Sequence, residues 1–248
     1  MIRPLVSIIT PSFNCADFLS HTIESVIAQT WQEWELIIVD DCSTDLSLDI
    51  AWSYARKDRR IKVFRLNSNS GPAVSRNTAI EKAQGQYIAF LDSDDLWYPQ
   101  KLDKQIPFIQ QKGYALTHTY YEKILESGQK TGELVCPSPV LSYADMLKSN
   151  QIGCLTAIYD TQRLGKVYMP IIRKRQDYGL WLKILKSEPF AFCLPEILAA
   201  YRIRTGSISS NKFQMLRYNW QLFRYVEDLS LIKSTYYLGW NIARKITT

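Results

Sequence analysis

Histidine is nearly absent from this chain of 248 residues: there are two, His21 and His118, far apart. The five cysteines, Cys15, Cys42, Cys136, Cys154 and Cys193, are odd in number, scattered, and free of any CxxC pair. This pattern excludes a zinc site of ordinary ligand spacing and a disulfide framework, and it reads as reduced core residues of a cytosolic protein. No GxGxxG follows the first strand-like run, which excludes a dinucleotide-binding dehydrogenase. Nor does Pro11 to Ala16 hold a glycine, lysine or arginine, as the phosphate loop of a nucleotidyltransferase that builds nucleotide sugars would. No apolar run approaches the roughly 18 residues of a membrane span. The best, Phe190 to Tyr201, is broken by Pro195 and Glu196. Met1 gives way to a strand-like Leu5 to Ile9 too soon for a secretory signal. The expectation is a cytoplasmic protein that does not cross a bilayer.

What is present is enough apolar material, 46% of the chain, for a large core in one domain or two fused halves. Strand and helix patterns alternate through the first hundred residues. Leu5 to Thr10 and Leu36 to Val39 are short apolar runs of strand length, with Phe18, Leu19, Thr22, Ile23, Val26 and Ile27 at helical spacing between them. Ser43 and Thr44 are candidate caps for a helix towards Lys57. Ile61 to Leu66 reads as strand, Gly71 to Ala83 as helix, and Tyr87 to Leu91 as a buried parallel strand. This predicts an α/β fold with a mostly parallel sheet flanked by helices. After Tyr114 the alternation fades into an α+β half, with a helix at Asp177 to Lys186 and strands at Phe190 to Leu194 and Leu198 to Ile203. From about Lys212 the chain reads as a helical, aromatic and basic tail. The boundaries expected are therefore 1–114, 115–210 and 211–248.

In open α/β sheets ligands bind beyond the carboxyl ends of the strands. Four polar clusters stand there: Thr10-Pro11-Ser12-Phe13-Asn14, Asp40 to Asp45, Asn67 to Ala73, and Asp92-Ser93-Asp94-Asp95. Three carboxylates in the last four residues repel one another, and a structural reason for them is hard to find without a cation. Oxygen ligands suit Mg²⁺ or Mn²⁺, which take one or two carboxylates and leave the other positions to water and phosphate. A solvated acidic turn before Pro99 is the competing reading. Asp40 and Asp41 either accept from a base imide or ribose hydroxyl or satisfy amides of the next helix. Arg76, in the first turns of its helix, could meet a diphosphate or lie on the surface.

The chain resembles the family 2 glycosyltransferases, inverting enzymes of the GT-A fold. The resemblance rests on Val6 to Asn14, Gln29-Thr30-Trp31, Ile37 to Asp45, Asn69 to Asn77, Gly85 to Asp95 and Arg175 to Leu182, in the family's order over about residues 5 to 210. It implies a Rossmann-like donor half, an acceptor-side half and the helical tail. It implies that the backbone near Thr10 and Pro11, with Asp41, holds a pyrimidine base, that Asp92 approaches the ribose, with Ser93 beside it, and that Arg76 lies near the nucleotide. Asp94 would ligate Mn²⁺ or Mg²⁺ on the diphosphate, and Asp177 would be the catalytic base. A neutral hydroxyl nucleophile needs a positioned carboxylate, and a leaving diphosphate needs a cation. Asp177 is otherwise a charge at a helix start.

Two departures stand out: Gln176 replaces a frequent Glu before the base, and Arg204 stands where some relatives have His. Arg202 or Arg204 could meet the diphosphate, and His118 could line the acceptor side. The implied activity moves a hexose or N-acetylhexosamine from a nucleotide diphosphate, UDP above all, to a saccharide or polyprenyl-linked saccharide in bacterial surface polysaccharide synthesis. A sugar-nucleotide-binding or polysaccharide-binding module without catalysis is the rival, and intact Asp94 and Asp177 argue against it. Nucleic acid is suggested by nothing but the net charge of +6, of which residues 211–248 carry four: six Lys and Arg against Glu227 and Asp228. In that tail Phe213, Leu216, Trp220, Phe223 and Val226 form a stripe expected to pack on the domain. Tyr236, Tyr237, Trp240 and Ile242 with Arg244 and Lys245 suit an anionic membrane surface, on the inner face of the cytoplasmic membrane.

Overall fold

The apolar runs form the strands of a sheet covered on both faces, in a computed structural model that describes residues 4–204 and 212–247. In chain order the first half is β1 (Val6–Ser12), α1 (Ala16–Ile27), β2 (Trp34–Asp40), α2 (Ser47–Ala55), β3 (Ile61–Arg65), α3 (Pro72–Lys82), β4 (Tyr87–Phe90), β5 (Leu96–Trp97) and α4 (Lys101–Lys112). There follow β6 (Leu116–Ile124), β7 (Lys130–Val135), β8 (Val140–Leu141), α5 (Tyr143–Lys148), a 3₁₀ turn (Cys154–Thr156), β9 (Ile158–Asp160) and α6 (Thr161–Leu164). Then come α7 (Gln176–Ser187), β10 (Ala191–Arg202), α8 (Lys212–Gln221), a π-helical turn (Leu222–Val226) and α9 (Leu231–Thr247).

One sheet runs β3-β2-β1-β4-β9-β6-β10-β5, with β7 along β6 and β8 along β10. The first four strands are parallel. β9 then runs antiparallel to both β4 and β6, joining the parallel half to the mixed half. Alternate residues of each strand supply opposite faces. Val6, Ile8, Leu36, Ile38, Tyr87 and Ala89 pack with Leu19, Ile23, Ala51, Leu102 and Ile106 of α1, α2 and α4. Ile9, Ile37, Val39, Ile88 and Phe90 pack with Ile80, Met146, Trp181, Ile184 and Phe223 of α3, α5, α7 and the π-helical turn. The expected α/β fold is therefore present, and β1, β2 and β4 are buried along their whole length.

Two local expectations need correction and a third holds in part. The two strands expected at 190–194 and 198–203 are one, β10, whose register shifts on β6 between Leu194 and Ala199. Pro195 cannot donate to the ladder, so the strand bulges there rather than ending. Ser43 and Thr44 do not cap α2, which starts after Leu46 without a side-chain cap. In the tail the buried residues are Met215, Asn219, Leu222 and Phe223; of the expected stripe Phe223 is buried, Val226 packs against the core, and Leu216 and Trp220 are half-buried. Asn219 is buried because its Nδ2 donates to Asn241 Oδ1 of α9, 3.0 Å away, and Asn241 Nδ2 in turn donates to Leu147 O. The side chains of Phe213, Arg244 and Lys245, and all of Thr205 to Ser209, lie outside the described residues.

Candidate active site

The carboxyl ends of β1, β2 and β3 align, with Ser12 opposite Asp40 and Asp40 opposite Arg65. The loops beyond them are tied together. Asn14, at φ 45, donates its amide to Ser43 Oγ (3.1 Å) and accepts at Oδ1 from the Thr44 amide (2.8 Å). That is where Ser43 and Thr44 are used, while Asp45 accepts from the amides of Ala16 and Ser47. Asp40 closes a local turn by accepting from the Ser43 amide (3.0 Å). Asp41 accepts from the amides of Ser70 (2.7 Å) and Gly71 (2.8 Å), so it serves the start of α3 rather than α2. Gly71 is the N-cap at φ 88, a conformation that favours glycine. Thr10 and Pro11 are buried, and Thr10 Oγ1 has no hydrogen-bond partner among the described residues. Phe13 is 47% exposed at the mouth of β1.

The acidic loop after β4 is held by arginine. Arg76, buried on α3, pairs with Asp92 Oδ1 at 2.5 Å. Arg204 Nη1 pairs with Asp94 Oδ2 at 3.1 Å. Asp95, 2% exposed, accepts the Arg202 amide at Oδ1 (2.9 Å). Each carboxylate thus has its own donor, a structural reason for the cluster that the spacing alone did not reveal. Arg202 is buried and donates to the backbone carbonyls of Asp94, Leu125 and Glu126, so its guanidinium is not available to a diphosphate. Ser93 is buried, and its carbonyl accepts from Cys15 Sγ (3.3 Å). Burial first, and then the charge of Asp92, raise the Asp94 carboxyl above its ordinary range against the pull of Arg204. Burial raises Asp95 further still.

Asp177 lies in the first turn of α7, preceded by Arg175 as N-cap in the left-handed region at φ 69. Gly179 lets that turn approach the preceding loop, since a Cβ there would lie 2.5 Å from Pro170 Cγ. The charge of Asp177 is felt by Arg76, Cys154 and Tyr121. Burial acts against the Arg76 charge, but Asp92 and, more weakly, Asp177 raise its pKa overall. Burial pushes the Cys154 thiol up, with Asp92 and Asp177 adding to it and Arg76 opposing. Tyr121 is raised by burial first, with Asp95 and Asp177 contributing.

Arg76 is in contact with Asp92, and both Asp92 and Asp177 are near enough to bias the ionisation of Arg76 and Cys154. Neither Cys154 nor Tyr121 was singled out for this place from the sequence. The available signal was Gly153, whose added Cβ would meet Tyr121 Cε1 at 2.9 Å. His118 is fully buried in β6, neither ring nitrogen has a hydrogen-bond partner among the described residues, and burial pushes it down to about 3, so it does not line an acceptor surface. Cys136 is exposed rather than a core residue. A cavity of about 330 Å³ between α1, β5 and Arg202 is not lined by Asp92, Asp94 or Asp177.

Among the described residues no group of three or more His, Cys, Asp or Glu is gathered to hold a metal. The donor set nevertheless fits a hard divalent cation: the Asp92 and Asp94 side chains are 29% and 26% exposed, and the charge of Asp92 raises the cost of ionising Asp94. One or two carboxylates, completed by phosphate oxygens and water, are what Mg²⁺ or Mn²⁺ requires.

A parallel half-sheet ending in an acidic loop, joined through an antiparallel strand to a mixed half with a carboxylate at a helix start, is the GT-A arrangement of a sugar-transferring enzyme. The chain belongs to glycosyl transferase family 2, whose family model matches residues 7–153. It is 44% identical over 234 residues, 94% of this chain and 93% of the other, to TuaG, a glycosyltransferase assigned to teichuronic acid biosynthesis in Bacillus subtilis. It is 37% identical over 237 residues, 95% and 92% of the two chains, to the Escherichia coli UDP-Glc:alpha-D-GlcNAc-diphosphoundecaprenol beta-1,3-glucosyltransferase WfgD. In fold it is similar to S. aureus TarS 1–349 in complex with UDP-GlcNAc, with a TM-score of 0.72 at 23% identity, covering 94% of this chain and 70% of that one. It is likewise similar to the mannosyltransferase PcManGT of Pyrobaculum calidifontis in complex with GDP-Man and Mn²⁺, with a TM-score of 0.66 at 16% identity, covering 97% and 69%.

Proposed function

We propose that this glycosyltransferase moves a hexose or N-acetylhexosamine from a UDP-sugar to a saccharide carried on a polyprenyl diphosphate, with inversion, in the assembly of a bacterial surface polysaccharide. The observation that carries the reading is the acidic loop after β4, where Asp92 pairs with Arg76 at 2.5 Å and Asp94 with Arg204 at 3.1 Å, with Asp177 at the start of α7, the helix whose Trp181 packs on Phe90 of β4 at 5.5 Å between rings. Support for the donor and acceptor comes from a relative named for UDP-glucose and an undecaprenyl-linked acceptor.

In this reading residues 1–114 hold the donor and 115–210 the acceptor. The backbone beside Thr10 and Pro11, with Asp41, receives the base, Phe13 offers it an aromatic face, and Asp92 and Ser93 lie on the ribose side, with Arg76 next to the nucleotide. Asp94, with Asp92 near it, would hold Mn²⁺ or Mg²⁺. Such a cation, when bound, would stabilise charge on the departing diphosphate. Asp177 accepts the proton of the acceptor hydroxyl as its oxygen bonds to the anomeric carbon. The bond from that carbon to the diphosphate oxygen breaks on the opposite face, and UDP leaves with the electron pair. The acceptor's lipid would bring the enzyme to the membrane surface as a peripheral protein. Among the described residues no helix is long and apolar enough to cross a membrane.

The test is UDP binding by calorimetry and donor turnover with Mn²⁺, for the native chain, Asp94→Asn and Asp177→Asn. Asp177→Asn is expected to keep UDP binding and lose at least about 100-fold in turnover. Asp94→Asn is expected to lose the metal-dependent part of binding. No binding of UDP, GDP or dTDP by the native chain, with or without metal, would sink the proposal.

A further inference from the structure

α9 turns its polar residues inward. Its buried positions are Ser234 and Asn241, with Tyr237 half-buried between them, three and four residues apart along one seam. Tyr237 touches Phe223 (6.3 Å between rings), which touches Tyr178 of α7 (6.2 Å), so the helix is keyed to the element that carries Asp177. On the opposite side, at the same spacing, lie Ile232, 83% exposed, Tyr236, 56% exposed, and Gly239; Trp240, 44% exposed, stands at the border. An amphipathic helix ordinarily buries its large apolar residues against the protein. Here they are presented outward.

The described basic side chains at this face, Lys233 and Lys148, outnumber the acidic one, Asp145, which lines the same hollow as Trp240 and Lys148. Leu231 to Thr247 contains Lys233, Arg244 and Lys245 and no acidic residue. Lys148 of α5 sets its Nζ 5.8 Å from the Trp240 ring, adding a cation at the edge of the face. Aliphatic residues flanked by tyrosine, tryptophan and lysine match the boundary between lipid headgroups and acyl chains. A second copy docked on the same face would oppose like charges, whereas an anionic bilayer complements them.

We infer that the outward face of α9, centred on Ile232, Tyr236 and Trp240 with Lys148 and Lys233 at its edge, is the surface by which this protein docks on anionic membranes. It rests on the lipid-linked acceptor proposed above but is tested without it. The face is anchored through Tyr237 and Phe223 to α7, so docking fixes the helix that bears the base relative to the bilayer.

The experiment is flotation of the full chain with vesicles of phosphatidylcholine alone or mixed with phosphatidylglycerol. Three proteins are compared: native, Ile232→Ser/Tyr236→Ser/Trp240→Ser, and Lys148→Glu/Lys233→Glu, with light scattering for mass and circular dichroism for folding. The native chain is expected to float with the phosphatidylglycerol vesicles, release with salt, and lose at least about tenfold in partition in either variant. UDP binding without vesicles should be the same in all three. Native protein that fails to float, variants that float undiminished, or a native dimer dissolved by the triple substitution would each overturn the inference. If the triple variant does not fold, the charge-reversed pair on the surface decides alone. Loss of UDP binding in the native chain would count against the proposed function and not against the docking surface.

Discussion

Arg204 Nη1 and Asp94 Oδ2 stand 3.1 Å apart, so the carboxylate proposed as the metal ligand is already held by a cation of the chain itself. Both side chains are partly exposed, at 31% and 26%. Under that proposal Arg204 and a divalent ion compete for one group.

Replacing Arg204 by Gln should remove the competitor. Mn²⁺ affinity without nucleotide, read from the spectrum of free Mn²⁺ by electron paramagnetic resonance, is expected to rise about threefold to tenfold, the range of a partly exposed pair. An unchanged or weaker affinity would mean that Arg204 does not limit access to Asp94.

Arg76 and Asp92 form a tighter pair, with the Arg76 side chain 9% exposed. Arg76→Ala leaves Asp92 without its cation and should cost about 3 kcal/mol in urea unfolding. The double variant Arg76→Ala/Asp92→Ala should cost less than the sum of the single ones, because neither charge is then stranded.

At Gly179 the turn of α7 lies against Pro170 and Leu222, with an added Cβ 2.5 Å from Pro170 Cγ and 3.2 Å from Leu222 Cδ1. Gly179→Ala should destabilise by about 2 kcal/mol despite the better helix propensity of alanine. Turnover should fall as well, since the same turn positions Asp177. Stability unchanged in urea would show that the loop yields.

Lys101 lies fully buried, with Nζ bonded to Gln105 Oε1 (2.7 Å) and Thr156 O (3.1 Å), and burial pushes it from 10.5 down to about 7. Between those two values the unfolded chain binds a proton there that the folded one does not, so this group's penalty shrinks as pH rises. Lys101→Met should therefore stabilise more at pH 6 than at pH 9, by about 2 kcal/mol, in urea melts at the two pH values. An equal effect at both would place the ammonium's charge in the folded core.

The parallel half was legible because a strand buried on both faces leaves a continuous apolar run, as Tyr87 to Phe90 shows, and because its polar ends are local in sequence. The same locality exposed Asp92, Asp94 and the helix start at Asp177. The partners of those groups come from 16 and 110 positions away, as with Arg76 to Asp92 and Arg204 to Asp94, and nothing local encodes such pairs. Asn219 inside and Ile232 outside invert the usual burial of their residue types, so periodicity placed Phe223 and Val226 against the core but missed the seam through Asn219. Pro195 was read as a strand end, when the ladder with β6 accommodates it as a bulge.

β9 hydrogen-bonds to β4 on one edge and to β6 on the other, knitting the parallel half and the mixed half into one girder. Two lobes joined that way have no hinge between them. Swinging one away from the other would tear backbone bonds in the middle of the sheet. Substrate entry and product escape must therefore be timed by segments at the rim, and a substitution that stiffens the rim would slow turnover without touching any group that meets the sugar.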